Sequence, residues 1–357
     1  MTVNECFEGK GYVFTVPMYW LWPSMTFDTT IFYADEFLSH RHSPGHPESP
    51  RRLQAVLTGL SQYGYPDGFL RAAPATMAQL CSVHDRSYVE GILQRKLHEV
   101  DEETPVYNST FTIASLSAGA AVSALNSSVK RGKPSLALVR PPGHHASSGR
   151  GGGFCYFNNV AIARRSQADR RTAIVDLDVH HGNGTSEIFY DDQSTLYIST
   201  HQKGIYPGTG KLTETGGGEG EWHNVNIPLP AGSGDATFDM IFERIIMPVL
   251  TEYRPDCVLV SLGADAHYRD PLASLTLSTS GYVRCIGRLA SLKRPVSAVL
   301  EGGYDLDALT DVVLGTVHTL DGMEYDARFT EVSDTGCTGR EAVEEAARFC
   351  SEYWKSI

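Results

Sequence analysis

The segment that most constrains the fold is Thr172–Thr185, because it joins a buried-strand pattern to a cluster of polar side chains. It begins with an unbroken apolar run, Ala173–Val175, which is typical of a central strand in a parallel sheet covered on both faces. Asp176, Asp178 and His180 follow at alternate positions. Because alternate side chains of an extended chain lie on one face, two carboxylates and an imidazole should converge at the carboxyl end of this strand.

The oxygen and nitrogen donors of this cluster suit Zn(II), and also Fe(II), Co(II) or Mn(II). Gly182-Asn183-Gly184 breaks the strand and turns the chain, and open α/β sheets place their ligands at such strand ends. The alternative interpretation is a strand end with capping aspartates and a histidine whose role is structural. The stretch therefore indicates a metal site without establishing one.

Strand and helix patterns alternate along most of the chain, which predicts an α/β fold: a single-domain, doubly wound, mainly parallel sheet with helices on both faces. We predict strands at 30–34, 135–139, 173–175, 195–200, 224–228, 256–262 and 296–300. We predict helices at 51–62, 77–81, 86–95, 115–129, 237–253 and 339–355, and a further helix beginning at 160. Four strand ends then carry polar residues: His144-His145, the Asp176 cluster, Asp265 and Tyr304.

The overall composition is that of a globular protein, with 41% hydrophobic and 20% charged residues among 357. The net charge of −12 argues against a nucleic-acid partner and is compatible with a cationic substrate. We expect a catalytic domain over 30–320, an N-terminal extension over 1–29 and a C-terminal helical tail over 321–357 that packs on the same domain.

The cellular context can be predicted from cysteine usage and hydropathy. Seven cysteines without a C-x-x-C pair suggest reduced thiols, and hence a cytoplasmic protein. No apolar run is long enough to cross a bilayer, so no membrane partner is expected. Tyr12–Trp22 is aromatic and apolar, but it contains Pro17 and follows Glu5 and Glu8, unlike a signal peptide. This segment could pack on the surface or on a second subunit, so a homo-oligomer is possible.

Three loops have unusual compositions. Gly149–Asn159 is glycine-dense and aromatic, which favours the wall of a narrow pocket over a phosphate loop. His40–Leu53 carries histidines and arginines among three prolines, and it could bind a metal or an anion or simply be a solvated loop. Val100–Val106 is an acidic turn, interpreted as solvated surface.

Six motifs occur together in an order and spacing that match a known family. They are R-P-P-G-H-H-A (140–146), G-G-G-F-C-Y-F-N-N (151–159), D-L-D-V-H-H-G-N-G-T (176–185), Y-P-G-T-G (206–210), G-A-D-A-H-Y-R-D-P-L (263–272) and L-E-G-G-Y (300–304). Over roughly 30–320 the chain resembles the zinc-dependent histone deacetylase, acetylpolyamine amidohydrolase and acetoin-utilisation family, on the arginase–deacetylase fold. Joint chance occurrence of these motifs is negligible.

The resemblance implies two cation sites. Asp178, His180 and Asp265 would hold Zn(II), with Fe(II) or Co(II) as possible substitutes. A structural monovalent cation, such as K⁺, would bind the backbone carbonyls of Asp176, Asp178 and His180 together with the Ser199 hydroxyl.

The resemblance also implies catalytic roles. His145 would be the general base toward water and then the acid toward the leaving amine. His144, hydrogen-bonded to Asp176, would be its electrostatic or proton-donating partner. Asn183 would orient His145; many relatives have Asp there, so this residue points toward the class II-like branch. Tyr304 would donate a hydrogen bond to the amide oxygen as it becomes an oxyanion, and such donors are worth about 3 kcal/mol.

A substrate channel is implied as well. Phe154 and Tyr206 would flank an acyl-lysine chain, with Gly153 and Leu272 in the channel wall. Glu103 lies where relatives place an acidic rim residue that grips the substrate backbone. The expected activity is removal of acetyl or other acyl groups from the lysine side-chain amine, on a peptide or protein.

Three alternatives remain at this point. An acetylpolyamine amidohydrolase would act on small acetylated amines; the apolar Leu272 favours acyl-lysine, whereas Glu103 suits either cation. A binuclear manganese hydrolase would need a carboxylate at Gly263 and would leave Tyr304 without a role. An inactive acyl-lysine- or metal-binding module should have lost a ligand, a histidine or the tyrosine, and none is missing.

Overall fold

Seven parallel strands form the central sheet of the computed structural model, which describes residues 27–65, 68–330, 334 and 336–357. The strands of this sheet are β1 (Thr30–Phe32), β4 (Ser135–Ala137), β5 (Thr172–Asp176), β6 (Thr195–Gln202), β7 (Asn224–Leu229), β8 (Cys257–Leu262) and β9 (Val296–Leu300). Their order is β1-β4-β9-β8-β5-β6-β7. A short antiparallel hairpin, β2 (Glu99–Asp101) with β3 (Thr104–Pro105), lies outside this sheet.

Helices flank the sheet, which confirms the predicted parallel α/β class. They are α1 (Arg51–Gln62), α2 (Met77–Leu80), α3 (Arg86–Leu93), α4 (Thr110–Arg131), α5 (Asn159–Arg165), α6 (Asn183–Ile188), α7 (Asp235–Ile241), α8 (Met247–Tyr253), α9 (Thr279–Ser291), α10 (Leu306–Leu320) and α11 (Arg340–Cys350). Short 3₁₀ turns occur at Asp35–Ser39 and Gly218–Gly220.

Strand order explains why the polar strand ends meet. Strands β4, β9, β8 and β5 are consecutive neighbours in the sheet, although they are far apart in the chain. Every residue of these four strands is buried, as the apolar runs of the sequence predict. Because the four strands run parallel, the segments that follow them emerge at one edge of the sheet, where α/β folds bind their ligands.

The small residues of α4 allow it to pack closely on neighbouring backbone. A side chain at Gly119 would overlap the carbonyl oxygen of Ala73, and Ala75 N donates to Ser115 O at 2.7 Å. The helix runs over 110–131, longer at both ends than the predicted 115–129, and it ends at Gly132 in the left-handed conformation. The small residues therefore let this helix approach neighbouring backbone closely, while Ile113, Leu116 and Leu125 add buried apolar surface.

Other elements depart from the sequence prediction. The helix predicted over 237–253 is α7 and α8 joined by a π-helical turn at Phe242–Ile246. Pro248 follows this turn, and because proline lacks an N–H it cannot make the regular helical hydrogen bond. Helices α9 and α10 were not predicted. The expected extension over 1–29 falls almost entirely outside the described residues.

At the carboxyl end of the chain, α11 contacts β7 and α7. Its buried face includes Val343, Ala346 and Ala347. Among the residues that the structure describes, no helix is long and apolar enough to cross a membrane.

Candidate active site

Asp178, His180 and Asp265 converge at this edge of the sheet, where Asp178 and His180 line a cavity. His180 Nδ1 lies 3.1 Å from Asp178 Oδ1 and 3.2 Å from Asp265 Oδ2. Backbone amides hold both oxygens of Asp178 and one of Asp265: Gly302 N donates to Asp178 Oδ2 at 2.8 Å, His180 N donates to Asp178 Oδ1 at 2.9 Å, and Val179 N donates to Asp265 Oδ1 at 2.8 Å. Within the described part of the chain, the buried Asp265 Oδ2 has no hydrogen-bond partner.

The electrostatics of this cluster favour a cation. Burial would lower the pKa of His180, but the carboxylates of Asp178 and Asp265 raise it to about 10. Burial would likewise raise the pKa of Asp178, but the neighbouring imidazoles of His144 and His180 lower it. Two buried carboxylates thus stabilise positive charge at this point. With a neutral imidazole they provide the donor set of a catalytic zinc site, and the free Asp265 oxygen is available as a ligand.

Two adjacent histidines beside this cluster have different hydrogen-bond partners. His144 Nδ1 donates to Asp176 Oδ2 at 3.1 Å, and its Nε2 lies 3.8 Å from Asp178 Oδ1. His145 Nδ1 donates to Asn183 Oδ1 at 2.8 Å. Because an amide oxygen only accepts, this bond places the proton on Nδ1 and leaves the other ring nitrogen of His145 able to accept one.

The same two histidines have opposite pKa shifts. Burial would lower the pKa of His144, but Asp178 and Asp176 raise it to about 10. Burial lowers the pKa of His145 well below its ordinary value, and the charges of His144 and His180 lower it further. One imidazole is therefore held as a cation and its neighbour as a neutral base, a separation typical of acid–base sites.

Tyr304 reaches the cavity from the segment after β9. Burial raises the pKa of its hydroxyl well above the ordinary value, so the group remains a hydrogen-bond donor. Its backbone is held by Asp270, whose Oδ2 accepts from Tyr304 N at 2.6 Å, while Oδ1 accepts from Leu272 N at 3.0 Å. Sequence reasoning missed Asp270, which ties the backbone of Tyr304 to that of Leu272, another residue of the channel lining.

The cavity has a volume of about 180 Å³, and two of its lining side chains, Tyr206 and Leu272, are exposed at the surface. The Tyr206 ring lies edge-on to His145 with ring centroids 4.9 Å apart, and Phe154 lies edge-on to Tyr304 at 6.1 Å. The structure brings all five residues predicted for the channel to its lining: Glu103, Gly153, Phe154, Tyr206 and Leu272.

The hairpin β2–β3 holds one wall of this cavity. Asp101 Oδ2 accepts from Gly153 N at 2.7 Å, and Asp101 Oδ1 accepts from Glu103 N at 3.1 Å. Thr104 Oγ1 accepts from Phe154 N at 2.9 Å. Gly153 and Phe154 have φ values of +54° and +68°, a region that side-chain-bearing residues rarely adopt. The predicted solvated acidic turn is therefore wrong in part, because Asp101 and Thr104 fix the wall and the rim together.

The loop over 40–50 is solvated only in part: His40 and Glu48 are buried, whereas Arg41 and Ser43–Gly45 are exposed. Arg140 forms an ion pair with Glu48, and both side chains are fully buried. Arg140 donates in addition to the carbonyl oxygens of Phe37 at 2.7 Å and His40 at 3.0 Å. The sequence carried a signal in Arg140, which lies in the same motif as the histidine pair, but nothing in the local pattern identified Glu48 as its partner.

Ser199 lies opposite Asp176 in the β5–β6 register. His201 Nε2 donates to Gly210 O at 2.9 Å, so His201 Nδ1 accepts from the Ser199 hydroxyl at 2.9 Å. The lone pairs of the Ser199 oxygen remain available to a cation. The monovalent-cation site stays a prediction.

The glycine at position 263 argues against a second carboxylate ligand. A Cβ atom at Gly263 would overlap the carboxylate of Asp178. A side chain as large as aspartate therefore does not fit there in this arrangement, which disfavours the binuclear hydrolase alternative.

Comparison with known proteins agrees with the geometry. Residues 46–320 match the family model described as the histone deacetylase domain. The chain is 38% identical over 315 residues to a "Probable deacetylase" of Archaeoglobus fulgidus, covering 84% of this chain and 88% of that protein. It is 36% identical to "Histone deacetylase 14, chloroplastic" of Arabidopsis thaliana, covering 83% and 77% of the two chains. The crystal structure of the HDA15 HD domain superposes with a TM-score of 0.85 at 32% identity, covering 92% of this chain and 96% of that one.

The chain belongs to the histone deacetylase family. The predicted enzyme class, a hydrolase acting on amides, is confirmed by these relatives.

Proposed function

We propose that the protein is a metal-dependent deacylase that removes acetyl groups from the side-chain amine of lysine. The observation that carries the proposal is the grouping of three donor side chains, Asp178, His180 and Asp265, beside one narrow channel. The polarised histidine pair and Tyr304 line the same channel.

The metal would be held by Asp178, His180 and Asp265. Zn²⁺ suits these donors best, and Fe²⁺ or Co²⁺ suits them also. When bound, such an ion polarises the amide carbonyl and lowers the pKa of a water molecule to about 7. Three protein ligands leave a coordination position open to water and substrate, as a catalytic site requires.

His145 is the proposed general base. Its Nδ1 proton is fixed on Asn183, so its Nε2 accepts the proton of the attacking water and later gives it to the leaving amine. His144 is held cationic by Asp176 and Asp178, and it stabilises the negative charge that develops beside it.

Tyr304 is the proposed oxyanion donor. Its hydroxyl remains protonated because its pKa is raised, and Asp270 fixes the backbone that carries it. Donors of this kind lower the barrier by about 3 kcal/mol when they meet the oxygen that gains charge in the transition state.

The channel supports a lysine-like amine as the substrate. Aromatic rings of Phe154 and Tyr206 suit the apolar methylene chain, and Leu272 adds apolar surface at the mouth. Glu103 at the rim and the net charge of −12 attract a cationic segment around the acylated residue. The same charges suit an acetylated polyamine, which is the alternative substrate class.

The test compares the metal-loaded chain with Tyr304→Phe on an acetyl-lysine peptide. Loss of a donor worth about 3 kcal/mol should lower kcat by two to three orders of magnitude while bound metal is retained. The control is Tyr353→Phe, which removes the hydroxyl of an exposed tyrosine outside the channel. Its kcat should equal that of the wild type. An unchanged kcat in Tyr304→Phe would remove this residue from the oxyanion role.

A further inference from the structure

A second group of potential metal ligands lies outside the active site, in the loop before α1. It consists of His40, His42 and Glu48, whose ligand atoms all lie within 4.8 Å of one another. His40 and Glu48 are fully buried, and the side chain of His42 is 1% exposed. Neither the proposed catalytic chemistry nor the channel uses these three side chains.

The two imidazoles of this group lack hydrogen bonds. Neither ring nitrogen of His40, and neither of His42, has a hydrogen-bond partner among the residues that the structure describes. The ring of His40 is instead surrounded by aromatic edges, with Tyr156 at 5.5 Å and Tyr107 at 6.3 Å between centroids. Burying unpartnered polar atoms opposes folding, so two such rings side by side imply that something else satisfies them.

One pair of these atoms has the spacing of two ligands in a coordination shell. His42 Nε2 lies 3.3 Å from Glu48 Oε2, outside hydrogen-bonding geometry. Two ligands bonded to one tetrahedral zinc at its usual bond lengths are about 3.3 Å apart. The catalytic cluster has the same two features, namely ligand separations of 3.1 and 3.2 Å and an unpartnered buried ligand atom at Asp265.

We propose that His40, His42 and Glu48 form a second metal site, separate from the catalytic one, that binds a borderline divalent cation such as Zn²⁺. Two imidazoles favour Zn²⁺ over Mg²⁺ or Ca²⁺, which prefer oxygen ligands.

The charges around each site determine which of the two binds zinc more tightly. Glu48 also pairs with the buried guanidiniums of Arg140 and Arg52, so its negative charge is shared. The catalytic cluster has two carboxylates for its ion. The second site should therefore release zinc to a chelator before the catalytic site does.

The second site would be structural and would support the channel. The His42 ring stacks on His46 with centroids 4.2 Å apart, and His46 lies edge-on to Phe154 at 4.7 Å. Glu48 N also donates to His46 Nδ1 at 3.1 Å. A metal on His42 and Glu48 would therefore fix the loop that backs the Phe154 wall.

The test is a count of zinc per chain by mass spectrometry, after loading and dialysis in a zinc-buffered solution. We expect two equivalents in the wild type, one in Asp265→Asn, one in His42→Gln and none in the double variant. His98→Ala replaces an exposed histidine outside both clusters, and it should retain two.

A count of one in the wild type, or of none in Asp265→Asn, would overturn the second site without depending on how a His42 variant folds. Two equivalents in His42→Gln would also contradict it. Activity is not used as the readout, so failure of the proposed deacylase function would leave this test intact.

Discussion

The contact between Asp101 and the channel wall gives the sharpest prediction. Replacing Asp101 by Ala removes the acceptor of Gly153 N at 2.7 Å and of Glu103 N at 3.1 Å. Hydrogen bonds to a charged acceptor contribute about 1.5–3 kcal/mol when shielded and less when exposed. Because Asp101 is only half-buried, we assign about 2 kcal/mol to its two hydrogen bonds together.

The free energy lost should appear in substrate binding. Phe154 is held in the left-handed region, which costs a non-glycine residue about 1–2 kcal/mol, so a released wall relaxes toward other conformations. Substrate must then reorder the wall when it binds. A penalty of about 2 kcal/mol corresponds to about a 30-fold lower kcat/KM. The loss should fall mainly on KM, because Asp101 contacts neither the histidine pair nor Tyr304.

Steady-state kinetics on an acetyl-lysine peptide measure this effect, with three comparison variants. Asp101→Asn keeps one acceptor oxygen, so its kcat/KM should fall only a few-fold. Glu103→Gln removes the rim charge while leaving the Asp101 contacts in place. Glu99→Ala removes an exposed carboxylate from the same hairpin and should resemble the wild type. If Asp101→Ala behaves like Glu99→Ala, or lowers kcat at constant KM, the reasoning is refuted.

Three further predictions concern metal, specificity and stability. Asp265→Asn should lose one equivalent of zinc and all deacylase activity, measured by metal analysis and turnover; full retention of metal would contradict the ligand assignment. Leu272→Glu should raise activity on acetylated polyamines relative to peptide, with Leu70→Glu, another exposed leucine, as the control; an unchanged ratio would mean that position 272 is not the selector. Glu48→Gln should lower the free energy of unfolding in urea by about 3–5 kcal/mol, because the buried Arg140 is left unpaired, whereas Glu90→Gln in an exposed pair should cost less than about 0.5 kcal/mol. Burial would raise the pKa of Glu48, but the guanidiniums of Arg140 and Arg52 hold it well below its usual range. The stabilisation by the Glu48 carboxylate is therefore complete above about pH 4.5 and is lost as the pH falls further. An equal acid sensitivity of wild type and Glu48→Gln would oppose this account.

The parts of the fold that follow local patterns were predictable. Ala173–Val175 is apolar and β-branched, and it lies in β5 with neighbours on both sides. The predicted parallel sheet was enough to indicate that Asp178, His180, Asp265 and Tyr304 lie at one rim, because neighbouring parallel strands end at the same edge.

Features that depend on contacts distant in sequence were not predictable. Glu48 and Arg140 are 92 positions apart, so no periodicity reveals that they neutralise each other in the interior. Asp101 belongs to a run of charges that usually indicates solvated surface, and its bond to Gly153 spans 52 positions. Similarly, the two unpartnered rings of His40 and His42 are evident only once these two side chains are seen to be buried.

Turnover of an acetyl-lysine peptide and of acetylspermidine, measured side by side with the zinc-loaded wild type, tests the central claim most directly. The account predicts a higher kcat/KM for the peptide, with activity lost on zinc removal and restored by zinc. A preference for acetylspermidine would contradict lysine as the substrate and assign the chain to the polyamine branch. No turnover of either substrate with zinc bound at Asp178, His180 and Asp265 would contradict the proposed deacetylase activity itself.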